Sequence, residues 1–329
     1  MLSSQVIEKT LERFPTYTAD HFSVVPLEKG GSGRKFYRVF GREGGSMIVV
    51  KYTNHRAENR HYVDIAEFLA REKIQVPRID FHDSVEGLIW MQDLGEDDLW
   101  AHRENSWEDR RPLYEAALRE AGKLHAVDLR REDVAQLELQ HEFGEPLYLW
   151  EQTYFFENCL QAHFGLAAET VRRQAESPVL RDILSHLAAQ PKVLVHRDFQ
   201  SQNVLTQGAG AWLIDFQGMR PGLAQYDVAS LLYDPYVNLT TGEREELLGF
   251  YKQECGPPGK MVSPDFDDVF YRCALQRLMQ ALGAYGFLGL QQGRPEFLAY
   301  IPAALRSLRE VATRIDGLNE LTTLLDDLP

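Results

Sequence analysis

The segment His196-Arg197-Asp198-Phe199-Gln200-Ser201-Gln202-Asn203 sets a carboxylate, Asp198, five residues ahead of a carboxamide, Asn203. It lies between the apolar runs Val193-Leu194-Val195 and Val204-Leu205. Short apolar runs around a polar octet read as two strands joined by a loop, which puts the polar groups at the edge of a cleft. A carboxylate there can orient an alcohol and accept its proton, and an amide oxygen can hold a hard divalent cation. Twelve residues beyond Asn203, the apolar Trp212-Leu213-Ile214 ends in Asp215, followed by Phe216 and Gln217. Acids that converge on one point repel unless a cation compensates them. The set therefore predicts Asp198 as the catalytic residue and Asn203 and Asp215 as ligands of a magnesium ion, Mg2+.

The octet fits H-R-D-x-x-x-x-N, the catalytic loop of kinases, at every specified position, and Ile214-Asp215-Phe216-Gln217 reads as the metal-binding D-F-G with glutamine for glycine. Upstream, Gly30-Gly31-Ser32-Gly33 separates two strand-like runs, and the N–H groups of Gly31, Ser32 and Gly33 can cover phosphates. Ile48-Val49-Val50-Lys51 resembles the V-A-I-K strand, whose lysine pairs the α- and β-phosphates of ATP. That lysine needs an acidic partner on the following helix. Glu58 is better placed than Glu67, which lies near the helix's C-terminal end.

The elements that must position these residues fall into two groups. Strand-like stretches at 22–27, 35–40 and 46–52 are separated by glycine turns. A helical pattern follows at 56–73, with Tyr62, Ile65, Ala66 and Leu69 at helical spacing, and two further strands at 76–81 and 87–91. Beyond Asp93-Leu94-Gly95 the pattern turns helical, at 107–127, 147–166 and 266–290. The expected fold is α+β and bilobal, with a small five-stranded antiparallel lobe plus one helix over 1–92 for nucleotide binding. A larger, mainly helical lobe over 93–329 is left for catalysis and acceptor binding.

Composition sets limits on partners. At 44% hydrophobic and 26% charged the chain is ordinary globular material, not a disordered one. Acidic residues outnumber basic ones by 49 to 35, a net charge of −14, which argues against nucleic acid and against anionic lipid. Cys159, Cys255 and Cys273 form no CxxC pair and fit a reducing cytoplasm. Residues 1–14 lack the pattern of a signal peptide and read as a short amphipathic helix. The apolar run 278–290, interrupted by three glycines, is shorter than the roughly 20 residues that span a bilayer and reads as a buried helix.

Lys51, the octet and Asp215, with Gln225-Tyr226-Asp227-Val228-Ala229 downstream, resemble the aminoglycoside phosphotransferase superfamily over nearly the whole chain. The resemblance implies a protein-kinase-like fold and an ATP-dependent phosphotransferase acting on a small-molecule hydroxyl. It also implies an adenine-facing hinge at Met91, Gln92 and Asp93, and support of the catalytic loop by His196, Arg197 and Asp227. A finer resemblance runs through Gly33-Arg34-Lys35-Phe36-Tyr37-Arg38-Val39, Ile214 to Gln217 and Gln276 to Tyr285, with echoes at Glu151, Tyr154 and Phe155. These stretches are similar to bacterial kinases that phosphorylate N-acetylmuramate and N-acetylglucosamine at the anomeric position. The glycine-rich loop and Lys51 depart from that group, which leaves aminoglycoside, choline-like and homoserine-like acceptors open. Candidate acceptor residues are Tyr154, Gln200, Gln217, Asp234 and Arg277. An anionic, lactyl-bearing sugar would favour Arg277, and a cationic acceptor would favour acidic residues. Eleven residues separate Asp215 from Asp227 with no A-P-E segment, which excludes a protein kinase's peptide platform. The intact Lys51, Asp198, Asn203 and Asp215 speak against a pseudokinase, and oligomeric state has no signal in the chain.

Overall fold

The computed structural model describes residues 3–14, 23–27, 34–41, 45–53, 59, 61–237, 239–256 and 265–328. It opens with helix α1 (Ser3–Arg13), then β1 (Ser23–Leu27), β2 (Lys35–Phe40), β3 (Ser46–Lys51), α2 (Tyr62–Arg71), β4 (Ile79–Asp83) and β5 (Leu88–Gln92). The five strands form one antiparallel sheet in the order β1-β2-β3-β5-β4. The expected strand at 76–81 starts three residues later, at Ile79. Pro77 has no N–H for a ladder, which suits it to the connection rather than the strand.

The sheet is buried on both faces, and alternation decides what each side chain meets. One face presents Tyr37, Val39, Met47, Val49, Leu88 and Trp90 to Val6 of α1, where the Trp90 indole N–H donates to Thr10 Oγ1 at 2.9 Å. The other presents Val50, Ile89 and Met91 to Tyr62, Ile65, Phe68 and Leu69 of α2. Burying each such aliphatic or aromatic side chain contributes about 1.5–3 kcal/mol, which makes this small layered unit a firm roof for a cleft.

The remaining chain is mainly helical: α3 (Trp107–His125), α4 (Glu132–Ala135), α5 (Glu145–Phe155), α6 (Ala168–Ala175) and α7 (Pro178–Ala189), then, after two small hairpins, α8 (Ala224–Leu232), α9 (Thr241–Phe250), α10 (Phe266–Leu290), α11 (Ile301–Ala312) and α12 (Asn319–Asp326). Ser106 caps α3 and a Thr240–Glu243 capping box starts α9. The single helix expected over 147–166 is α5 continued by π-helical turns from Phe156 to His163. The buried helix expected at 266–290 is α10, and its glycines have a packing reason. A Cβ on Gly283 would stand 2.7 Å from the Tyr154 carbonyl, so α5 crosses α10 at a distance only glycine allows.

Strand β6 (Val193–Val195) pairs with β9 (Arg220–Gly222), and β7 (Val204–Gln207) with β8 (Gly210–Leu213). The sheet unit is tied to this region by a backbone bond from Leu213 N to Gln75 O at 2.8 Å, and the chain after β5 by one from Leu99 N to Val204 O at 3.0 Å. Arg131 adds a bidentate ion pair to Glu72 at 2.6 and 2.9 Å. Among the described residues no helix is long and apolar enough to cross a membrane. The three cysteines are buried free thiols, and burial pushes the Cys255 thiol up to about 11.

Candidate active site

The loop after β6 is held from below by two buried carboxylates. Asp227, on α8, accepts the backbone N–H of His196 at 2.6 Å and of Arg197 at 2.8 Å, and faces His125 Nε2 at 3.1 Å. Asp234 accepts the N–H of Ser201 at 2.7 Å and of Tyr236 at 2.9 Å. His196 Nε2 donates to the Ile214 carbonyl at 2.9 Å, which links the loop to the end of β8. Arg197 adopts φ 77°, a left-handed conformation that costs a non-glycine residue about 1 kcal/mol or more and is kept by these surrounding bonds.

The result is a projecting Asp198 side chain, about a quarter exposed, with Arg197 Nη1 at 2.8 Å from its Oδ2. Burial raises its pKa, but the guanidiniums of Arg197, Arg277 and Arg220 and the ring of His196 outweigh it and hold the carboxyl below the usual range. The Asp198 carbonyl accepts from Gln200 N at 2.9 Å and from Asn203 Nδ2 at 2.8 Å. Committing the Asn203 nitrogen in this way leaves its Oδ1, the atom a metal needs, as the outward acceptor.

Asp215 also has left-handed backbone, φ 62° and ψ 30°. Its Oδ1 accepts Arg34 Nη2 at 2.9 Å and Gln217 Nε2 at 2.7 Å. The next residue, Phe216, stacks on Tyr62 of α2 at 4.7 Å between ring centroids. A Cβ on Gly218 would lie 3.9 Å from Asp198 Oδ2, so the loop after β8 runs beside the loop after β6 and the two aspartates share one cleft. Asp215 and Asn203 offer hard oxygen donors, and the Arg34 guanidinium already answers the carboxylate's demand for positive charge; the residues fit magnesium. Among the described residues no cluster of three or more His, Cys, Asp or Glu side chains forms a metal cage, so such an ion would complete its shell with phosphate oxygens and water.

Lys51 is not in this cleft. It pairs across the ladder with Lys35 and Leu88, on the face shared with Val49 and Met47, and its ammonium donates to the Glu86 carbonyl in the β4–β5 turn. Strand residues that face the cleft-side core are Val50 and its neighbour two positions back, Ile48. The likeness to V-A-I-K is thus out of register by one, which in a strand means the opposite face. Gly31, Ser32, Gly33 and Glu58 lie outside the described residues, and Glu67 is exposed on α2. At the end of β5, Met91 faces the α2 core and lies 3.9 Å from the Tyr62 hydroxyl, and Gln92 exchanges bonds with the Arg78 backbone. The Asp93 carboxylate is taken by Arg38 at 2.6 and 3.2 Å and by Gly95 N, so its side chain belongs to the connection and not to a ligand.

The acceptor candidates divide. Gln200 accepts Arg277 Nη2 at 3.0 Å; Arg277 also donates to Ser230 Oγ at 2.9 Å and to Gln280. Both sit beside Asp198. Gln217 is committed to Asp215 and Arg34. Asp234 is corrected from an acceptor residue to a brace, since it is 2% exposed and both its oxygens hold backbone N–H groups. Tyr154, one turn along α5 from Glu151, stacks on Trp150 at 4.9 Å and packs near Phe287.

Three participants had no signal in the sequence that marked them as site residues: Arg34, Arg220 and, as a titrating group, Glu151. Burial and the nearby Arg197 lower the pKa of the half-buried Arg220. Glu151 is 1% exposed and accepts the Tyr226 hydroxyl at 2.6 Å, while its Oε2 has no partner. Burial pushes its pKa up to about 7 against the opposing pull of Tyr226, Arg197, Arg277 and Arg220. A folded-state pKa above the unfolded 4.5 means that the native state holds the proton longer. Its stabilising contribution is complete below about pH 4.5 and lost as pH rises through 7, up to about 3 kcal/mol in all. Urea unfolding of Glu151→Gln is therefore expected to show less loss of stability between pH 5 and 8 than the wild-type protein, and identical pH slopes would contradict the shift.

A model described as the phosphotransferase enzyme family matches residues 23–260. The N-acetylmuramate/N-acetylglucosamine kinase of Pseudomonas aeruginosa is 29% identical over 95% of this chain and 92% of its own length. The protein of the same name from Neisseria meningitidis serogroup B is 26% identical over 90% and 87%. Among solved structures, a choline kinase from Cryptosporidium parvum superposes with a TM-score of 0.64 at 14% identity, covering 98% of this chain and all of its own. The ADP-bound aminoglycoside phosphotransferase APH(2'')-Ib does so with a TM-score of 0.60 at 14% identity, covering 94% and 99%. At such identities the structural likeness carries the fold alone, which is protein-kinase-like.

Proposed function

The chain belongs to the phosphotransferase enzyme family, and from that premise we propose that it transfers the γ-phosphoryl group of magnesium-bound ATP to the anomeric hydroxyl of an amino sugar of the N-acetylmuramate/N-acetylglucosamine class. The observation that carries the reading is the pairing of Asp198, ionised and projecting from a braced loop, with Asp215 across the same cleft. Asp198 orients the acceptor hydroxyl and takes its proton as the oxygen attacks phosphorus. Asn203 Oδ1 and the Asp215 carboxylate would hold a magnesium ion, which would supply positive charge to offset the phosphates of ATP. Little covalent work is asked of the protein, and most of the acceleration comes from placement and charge.

The sugar assignment is supported by the names of the relatives that match along nearly the whole chain and by charge. The guanidiniums of Arg197, Arg220 and Arg277 lie near Asp198, and a planar guanidinium is suited to receive an acceptor's carboxylate. The test is ATP consumption with magnesium against N-acetylmuramate, N-acetylglucosamine, glucose, kanamycin and choline. Turnover is expected on the amino sugars, with kcat/KM at least about tenfold higher for the anionic one, the size of a single charge-assisted hydrogen bond. Turnover on kanamycin or choline alone would reject the acceptor class and leave the catalytic assignments standing.

A further inference from the structure

Phosphoryl transfer in this fold class uses a basic side chain against the nucleotide's phosphates, and in this chain strand β3 does not present one to the cleft. Its inward positions are Ile48 and Val50, and Lys51 is turned to the opposite face and bound to the Glu86 carbonyl. A cation does reach Asp215, from the residue that precedes β2. Arg34, the residue before Lys35, has a side chain only 8% exposed, with Nη2 2.9 Å from Asp215 Oδ1 and Nη1 3.2 Å from Gln217 Oε1. Its guanidinium carbon lies 5.9 Å from the ring centroids of both Phe36 and Tyr62, so two aromatic side chains border it.

We propose that Arg34 fills the place of the missing cleft lysine: it neutralises Asp215 in the free protein and turns its guanidinium onto the phosphates when the magnesium nucleotide binds. The inference rests on the phosphotransferase reading above. A metal ion held by Asp215 would supply the positive charge that Arg34 gives this carboxylate in the free protein, which would leave the guanidinium for the phosphates of the bound nucleotide. A planar fork with parallel N–H donors suits two phosphate oxygens, and the charge is permanent at any working pH. Arg34 also replaces the ammonium's function without the burial that a lysine at Val50, itself 2% exposed, would demand.

Four proteins decide it: wild type, Arg34→Ala, Arg34→Lys and Lys51→Ala. Magnesium ATP affinity is measured by calorimetry, and Mn2+ affinity without nucleotide from the EPR signal of the free ion. Lys51→Ala is expected to bind magnesium ATP within about twofold of wild type, since a surface ammonium on a carbonyl contributes little. Arg34→Ala is expected to bind it about tenfold to a hundredfold more weakly, the value of one charge-assisted bond to phosphate. The same variant should bind Mn2+ at least as tightly as wild type, because the competitor for Asp215 is gone, and Arg34→Lys should recover part of the ATP affinity. An Arg34 that served only as a strut between β2 and Asp215 would weaken ion and nucleotide alike, and that result, or loss of ATP in Lys51→Ala with Arg34→Ala unaffected, overturns the assignment. Where the alanine variant unfolds, Arg34→Gln removes the charge while keeping amide hydrogen bonds and is read the same way. Failure of the wild-type protein to bind ATP would remove the phosphotransferase reading and this inference together, an outcome distinct from either variant result.

Discussion

Replacing Asp198 with asparagine is expected to lower kcat about a thousandfold while leaving the affinity for magnesium ATP within a few-fold of wild type. A positioned general base contributes about 10²–10⁴, and the asparagine keeps the shape but neither the charge nor the proton affinity. The side chain is a quarter exposed and its ion pair is to the adjacent Arg197, so the substitution creates no large cavity. Fold and nucleotide binding should therefore survive. Three guanidiniums near the position lose a counter-charge, so ATP binding is more apt to tighten than to weaken. The measurement is single-turnover kinetics beside a calorimetric titration. An asparagine variant that retained more than about a tenth of wild-type turnover would show that Asp198 is not the base.

The second large effect is expected at a residue that touches neither substrate. Asp227→Ala should cost about 2–5 kcal/mol of unfolding free energy and lower kcat by about 10² or more. The carboxylate is fully buried, accepts two backbone N–H groups of the catalytic loop, and is linked through His125 to the Tyr251 hydroxyl at 2.7 Å. Removing it strands those N–H groups, at about 1–3 kcal/mol each, and frees Arg197 from the left-handed conformation that aims Asp198. Displacing a catalytic group by about an ångström is enough for the loss in rate. Urea unfolding and kcat measured on the same preparations test this, with Asp227→Asn expected to fall between, because one acceptor oxygen remains. An alanine variant as stable as wild type would mean that water replaces the carboxylate and that the brace is dispensable.

The elements that carry the site were legible to different degrees for identifiable reasons. The long helices near 107 and 266 were legible because amphipathic or wholly apolar periodicity persists over many turns. The strands at 35–40 and 46–51 were legible because glycine turns delimit them. The short helices Ala168–Ala175, Thr241–Phe250 and Asn319–Asp326 carry too few turns, in polar segments, to stand out from loop. The polar octet and Asp215 were legible because one hairpin, β7 and β8, connects them, so the pattern depends on residue type at short fixed spacing.

What the sequence determined by itself is therefore the local pattern: a carboxylate, an amide and a second carboxylate at set intervals, the α+β order of elements, and the absence of a peptide platform between Asp215 and Asp227. What only the tertiary structure decided is which face each side chain takes and what charge it meets. Lys51 reads as a cleft lysine along the chain, but its pairing with Lys35 and Leu88 turns it outward. Asp234 reads as an acceptor ligand until both its oxygens are found on backbone N–H groups. Arg34, Glu151, Arg220 and Arg277 are scattered over more than 240 positions of sequence and share a cleft only because β2, α5, β9 and α10 converge on it. The physical reason is that spacing along a strand or loop is a covalent property, whereas strand register and helix packing are set by burial of distant partners, and electrostatics follows the packing.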